Sequence, residues 1–163
     1  MAGVGGRKKV GKPKPPLTVI GWMERLDLPQ LGLTQIKAKM DTGARTTALH
    51  AENIQTFERD GTEWVRFQVQ AHENAPANTV EAPVHERRRI RNTGGIPEER
   101  IVVLTELKLT DRIWKVPVSL TDRSSMRVPV IVGRTTLRNH NVAVHTRRTY
   151  LTTEIKGRDP GGG

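Results

Sequence analysis

There is no cysteine anywhere in the chain, and that excludes disulfides, thiol nucleophiles and cysteine-ligated zinc. Aromatic residues are scarce at 4%, so the apolar share falls to Val, Ile, Leu and Ala, and a β-rich core of branched aliphatics is expected. No apolar run approaches the roughly eighteen residues that a membrane-spanning helix needs. Met1 to Gly11 also lack the apolar stretch of a secretory signal. A cytoplasmic protein with no membrane partner is therefore expected. A length of 163 residues suits one domain with a single core rather than two lobes.

What is abundant is positive charge: 27 Lys and Arg stand against 17 Asp and Glu, a formal net charge of +10. Arg7, Lys8, Lys9, Lys12 and Lys14 crowd the first sixteen residues with no acid among them. Like charges, Gly and Pro leave this stretch little to bury, so residues 1–16 read as a disordered basic tail. Residues 17–152 read as the folded domain, and the Gly-rich end, 153–163, as a flexible tail. Gly6 to Lys12 match the first part of a phosphate-binding loop, but no strand precedes them. Pro13 stands where that loop needs a hydroxyl for magnesium. No cofactor is expected.

The chemistry concentrates where an alternating strand, Ile36 to Met40, runs into Asp41-Thr42-Gly43-Ala44-Arg45. An aspartate at a strand end can polarise water if a second carboxylate shares its proton. Thr42 can anchor the loop through its hydroxyl, and Gly43 admits a close neighbour. A plain turn would use the same residue types. About ninety residues on comes a second stretch, Ile131-Val132-Gly133-Arg134, followed by Leu137.

Between these stretches, residues 18–24 read as a first strand and 26–33 as a loop. Asp60-Gly61 signals a hairpin, with arms at 54–57 and 64–69, and the polar stretch 71–82 reads as a loop. Arg87, Arg88, Arg89 and Arg91 lead to Gly94-Gly95-Ile96-Pro97, after which 101–109 alternate, so that two extended arms meet at a glycine-rich tip. Trp114, Val116, Val118 and Leu120 share one strand face; Met126, Val128, Val130 and Val132 share the next. A short helix is expected from Thr135 to about Asn139, then closing strands at 142–145 and 149–152.

Together the Asp41 and Gly133 stretches resemble the retropepsin-like aspartic proteases, where Asp-Thr-Gly-Ala is followed later by two apolar residues, Gly, Arg and a Leu. Residues 39–50 are most similar to the bacterial branch often labelled an ATP-dependent zinc protease. The resemblance covers about 17–151. It implies an all-β, single-lobe barrel with one short helix and Asp41 as the catalytic residue. Thr42, Gly43 and Ala44 become the active-site loop, and Ile131, Val132, Gly133 and Arg134 its structural partner. Gly94, Gly95 and Ile96 become the tip of a substrate-binding flap. Where the retroviral members carry an Asp that pairs with the Arg after the glycine, this chain has Arg45, so Arg134 needs another partner.

The other aspartates lie in turn-like or tail contexts, so the mate of Asp41 is expected from a second copy across a two-fold axis. The expectation is thus a homodimeric aspartic endopeptidase with an Asp41/Asp41′ pair, acting on a peptide or protein substrate. The basic residues near the site point to an acidic one. Two other readings stay open. Zinc hydrolysis lacks a His-Glu-x-x-His motif among the five histidines. A basic binding module for peptide or nucleic acid fits the charge, but few aromatics and no recognised motif disfavour nucleic acid.

Overall fold

The computed structural model describes residues 16–72, 74–91, 94–123 and 128–152. Met126 lies outside the described residues, as do the two expected tails apart from Pro16. The first half holds β1 (Thr18–Gly21), β2 (Met23–Leu28), β3 (Leu33–Asp41), β4 (Thr47–His50), β5 (Glu52–Arg59) and β6 (Thr62–Val69). The second holds β7 (Asn78–Pro83), β8 (Glu86–Arg91), β9 (Pro97–Leu109), β10 (Arg112–Thr121), β11 (Val130–Gly133), the helix α1 (Arg134–Asn139) and β12 (Val142–His145).

One sheet runs β10-β4-β11-β3-β2-β9-β8, and β9 also pairs with β10. That extra ladder closes the first six strands of this order into a barrel, which removes their free edges. The fold is the mainly β, single-helix barrel that the resemblance implied. Period-two alternation fills it. On β3, Ile36, Ala38 and Met40 are buried between exposed Lys37 and Lys39, and Trp114, Val116, Val118 and Leu120 are buried from β10. Each fully buried aliphatic of this kind contributes about 1.5–3 kcal/mol. β8 lies outside the closed ring and pairs with β9 alone, as the edge arm of a hairpin.

A second sheet, β5-β6-β7, grows from the Asp60-Gly61 turn. Asp60 (φ 52) and Gly61 (φ 77) both have positive φ, as a two-residue hairpin turn matched to strand twist requires. Val65, Phe67 and Val69 are buried. On the same strands, Arg59 and Arg66 both bond Glu81, and Arg59 covers the Trp64 ring at 4.3 Å. These arginines hold the Glu81 carboxyl below the usual carboxylate range.

Four expectations need correction. Residues 18–24 are two strands, because the chain changes partner at Trp22: β1 runs parallel to β12 while β2 pairs with β3. The stretch 26–33 is strand through Leu28 and then a 3-10 turn, Pro29–Leu31, closed by Gly32 at φ 73. Residues 78–83 are not loop, since Val80 and Ala82 alternate into the core beside β6. Residues 149–152 form no strand. Leu151 and Thr152 are helical, and their backbone N–H groups point at a carboxylate.

That carboxylate is Glu24, fully buried on β2. It accepts from Gly21 N at 2.6 Å, Leu151 N at 2.8 Å, Thr152 N at 3.2 Å and Thr152 Oγ1 at 2.6 Å. A buried carboxylate is tolerable only when donors replace its water, and here they come from two distant segments. Gly21 lets the second segment cross, because a Cβ there would lie 2.7 Å from the Arg148 carbonyl oxygen. Glu24→Gln turns an amide donor toward these N–H groups. It is expected to cost on the order of 2 kcal/mol in urea unfolding and to speed hydrogen exchange at Leu151 and Thr152. Wild-type stability with unchanged exchange would contradict this role.

Candidate functional site

β11 lies between the two ends of the Asp41 loop. It runs parallel to β3, with Gly133 opposite Asp41, and antiparallel to β4, with Ile131 opposite Ala48. Both stretches singled out in the sequence therefore meet. Ile131 and Val132 supply the ladder, and Gly133 supplies closeness, since a Cβ on it would fall 2.5–2.7 Å from the Thr46 backbone. Only glycine allows the loop to pass so near.

Hydrogen bonds fasten this contact on every side. Arg134 N donates to the Ala44 carbonyl at 2.7 Å and Thr135 N to the Arg45 carbonyl at 3.3 Å. Gly133 N donates to Thr47 Oγ1 at 3.1 Å, and Thr47 and Thr136 share a hydroxyl bond of 2.8 Å in the buried interior. The Arg134 guanidinium donates to the Gly43 carbonyl at 3.2 Å. A backbone oxygen of the loop thus replaces the carboxylate partner that Arg45 displaced.

Asp41 is half-buried, while Thr42 and Gly43 are exposed. Asp41 Oδ1 accepts from Gly43 N at 2.9 Å, and Ala44 N donates to the Asp41 carbonyl at 3.1 Å, so the loop is a tight aspartate-anchored turn. Among the described residues, no other carboxylate is hydrogen-bonded to that of Asp41.

Beside this loop opens a cleft of about 590 Å³, walled by residues 45–47, β8, β10 and the end of α1. Its charged lining is Arg45, Arg88, Arg89 and Lys115 against the single acid Glu86. Arg88 bonds Glu86 at 2.5 Å and holds its carboxyl below the usual range. Arg45, Arg89 and Lys115 have no side-chain partner among the described residues. Neighbouring Arg87 is occupied elsewhere, paired with Glu63 and with Glu99.

His140 lines the same cleft, its ring stacked on Trp114 at 4.5 Å and 2°. Burial and the charge of Arg112 push its pKa below the ordinary value. Gly94, Gly95 and Ile96 lie at the β8–β9 hairpin tip, with Gly95 at φ 80 and Ile96 exposed. The wall of the cleft comes from the arm behind the tip, chiefly Glu86, Arg88 and Ile90. Lys115 and His140 were not singled out in the sequence. Lys115 looks there like an outward residue in an alternating strand, and a lone His beside a short helix carries no spacing signal.

Among the described residues, His50, Glu52 and Asp122 bring ligand atoms within 4.8 Å of one another. His50 Nδ1 accepts from Arg123 N at 3.1 Å, so the neutral ring carries its proton on Nε2, which faces Glu52 at 3.2 Å. A metal at Nε2 needs a lone pair there. As folded, the set does not fit zinc.

A family model described as RimB-like, "Retropepsin-like aspartic endopeptidase RimB", matches residues 19–154. Relatives from Desulfotalea psychrophila and Parasynechococcus marenigrum, both named "Probable alpha-L-glutamate ligase", are each 41% identical over 118 residues, 71% of this chain. One from Shewanella pealeana with the same name is 37% identical over 123 residues. The chain spans about a quarter of the length of these relatives. The crystal structure of a Legionella pneumophila protein of unknown function superposes with a TM-score of 0.67 at 32% identity, covering 83% of this chain and 98% of that one.

These relatives correct the functional expectation. The sequence pointed to a hydrolase, an aspartic endopeptidase working through an Asp41/Asp41′ pair, whereas the curated relatives at 37–41% identity carry the name of a ligase. Within the single chain the Asp41 carboxylate bonds the backbone of its own turn.

If the Gly133 contact sets the loop, Gly133→Ala should lower stability by about 1–3 kcal/mol through overpacking against backbone. Backbone NMR shifts should change at residues 44–47 while β5 and β6 keep theirs. A neutral substitution would contradict the close approach.

Proposed function

The chain belongs to the RimB-like family of retropepsin-like proteins, and on that premise we propose that it serves α-L-glutamate ligation as a module that holds an acidic, glutamate-bearing peptide. The observation that carries this reading is the cleft beside the Asp41 loop, whose lining includes Arg45 and Lys115, neither with a side-chain partner among the described residues. On the neighbouring strands several arginines are matched, Arg59 and Arg66 by Glu81, Arg87 by Glu63 and Glu99, Arg100 by Glu98, whereas exposed Lys37 and Lys39 on β3 have no ion pair among the described residues. What sets the cleft apart is its concavity, since positive charge on concave walls attracts ligands of opposite sign and concentrates them there. The names of the relatives add the identity of the acid, since glutamate is what their activity concerns.

The elements divide the work in this reading. The loop fastened to Gly133 holds Arg45, the barrel strand β10 holds Lys115, and the β8 arm brings Arg88 to the wall of the space between. A side chain carboxylate reaching Arg45 can be bound through two parallel N–H donors, while Lys115 offers a point charge. Asp41, at the edge of this arrangement, repels acidic side chains from the loop and so limits how far the peptide can extend toward it.

An N-acetylated, fluorescent α-linked tetraglutamate should bind the full chain, and the matching tetraglutamine should not, when followed by anisotropy. Affinity should fall as salt rises, because exposed charges are screened over about 8 Å at 0.15 M. Arg45→Ala and Lys115→Ala should each weaken binding roughly fivefold, on the order of 1 kcal/mol for a partly exposed ion pair. Equal binding of the two peptides, or binding indifferent to salt and to both substitutions, would contradict the reading.

A further inference from the structure

We propose that His140 is a binding residue of the cleft that takes up a proton when an acidic peptide is seated, so that affinity for carboxylates is coupled to pH. The inference rests on the reading of the cleft as an acidic-peptide site and adds to it a named residue and a linked proton.

The geometry carries it. The ring is pinned flat on the buried face of Trp114, which fixes its plane and leaves its two nitrogens at the edge of the stack. Neither nitrogen has a protein partner among the described residues. The ring therefore presents hydrogen-bonding capacity to the cleft that Arg45 and Lys115 also line, unpaired among the described residues. In this His140 differs from His50 and His145, each of which turns a nitrogen to a backbone N–H, Arg123 N and Arg147 N.

Burial, and after it the charges around the ring, set its resting state. On β10, Arg112 and Lys115 flank Trp114; β8 contributes Glu86, Arg88 and Arg89; the loop contributes Arg45; and Arg138 precedes it on α1. Arg112 donates one nitrogen to the Pro16 carbonyl, and its other terminal nitrogen is buried without a partner, a fixed positive charge beside the ring. In this surround the empty cleft favours the neutral imidazole, in line with the downward direction of its pKa. A seated carboxylate reverses the local sign and favours imidazolium. Between the ring's free and bound pKa values, binding must then consume a proton. Affinity rises as pH falls through that window, by at most about tenfold per pH unit for a single linked proton. The glutamate carboxylates themselves titrate near 4.3, well below it.

The test uses the full chain and N-acetylated α-linked tetraglutamate, whose blocked terminus carries no titrating amine. Calorimetric titration at pH 6 to 7 in buffers of different ionisation enthalpy should report net proton uptake, and the His140 ring resonances should titrate at higher pH in the complex than in the free protein. His140→Gln, which keeps a polar planar side chain, should still bind at pH 8 and lose most of the uptake and of the pH dependence. Binding without uptake, uptake retained in His140→Gln, or a shift at another histidine ring in place of His140 would overturn this inference and leave the acidic-peptide reading standing. Failure of the wild-type chain to bind the peptide at any pH would overturn both.

Discussion

No side chain fits between residue 133 and the Thr46 peptide, and most of the site's geometry follows from that one exclusion. With the backbones in contact, the N–H groups at the start of α1 can reach the Ala44 and Arg45 carbonyls. The Thr47–Thr136 hydroxyl pair can close beneath them. The loop after Asp41 is therefore held by strand, helix and guanidinium at once. Each hydrogen bond contributes only about 1 kcal/mol net, but they share one short loop, so displacing any part strains the rest. The direction of α1, and with it the position of His140 at its end, is set by the same contact.

Charge is distributed on a different principle. A net charge of +10 could be a uniform solvated surface, but over the β5-β6-β7 sheet Arg59 and Arg66 are paired with Glu81, and on β8 Arg87 is paired with Glu63 and Glu99. Such exposed pairs contribute little to stability. Their consequence is electrostatic focus. Beside the Asp41 loop, Arg45 and Lys115 are left uncancelled, and concave walls raise their effect on an incoming anion.

How much of this was legible depended on whether the signal was local. The Asp41 and Gly133 stretches could be paired by resemblance, and the structure joins them in register. Asp60-Gly61 declared its hairpin because positive φ at two successive residues favours those residue types. The partner change at Trp22 was hidden, because alternation looks the same in one strand or two. Strand β7 was masked by polar neighbours and Pro76, with only Val80 and Ala82 facing the core. Glu24 was invisible as an anchor, since a buried carboxylate is defined by donors more than a hundred residues away. The cleft was missed for a related reason: Lys115 and His140 face outward from separate elements, and only the closing of the barrel brings them to one space. The functional expectation followed the Asp41 and Gly133 motifs, and it was the relatives, named as ligases, that corrected it.

The central claim is that the concavity beside the Asp41 loop is where an acidic peptide sits. Its most direct test is the location of the bound peptide, read from backbone NMR of the labelled full chain titrated with α-linked tetraglutamate. The account predicts shift changes gathered at residues 45–47, 88–90, 115–117 and 135–140, with β5 and β6 unmoved. Changes spread over the basic residues before Lys14, or gathered on the β5-β6-β7 sheet with the cleft silent, would contradict it.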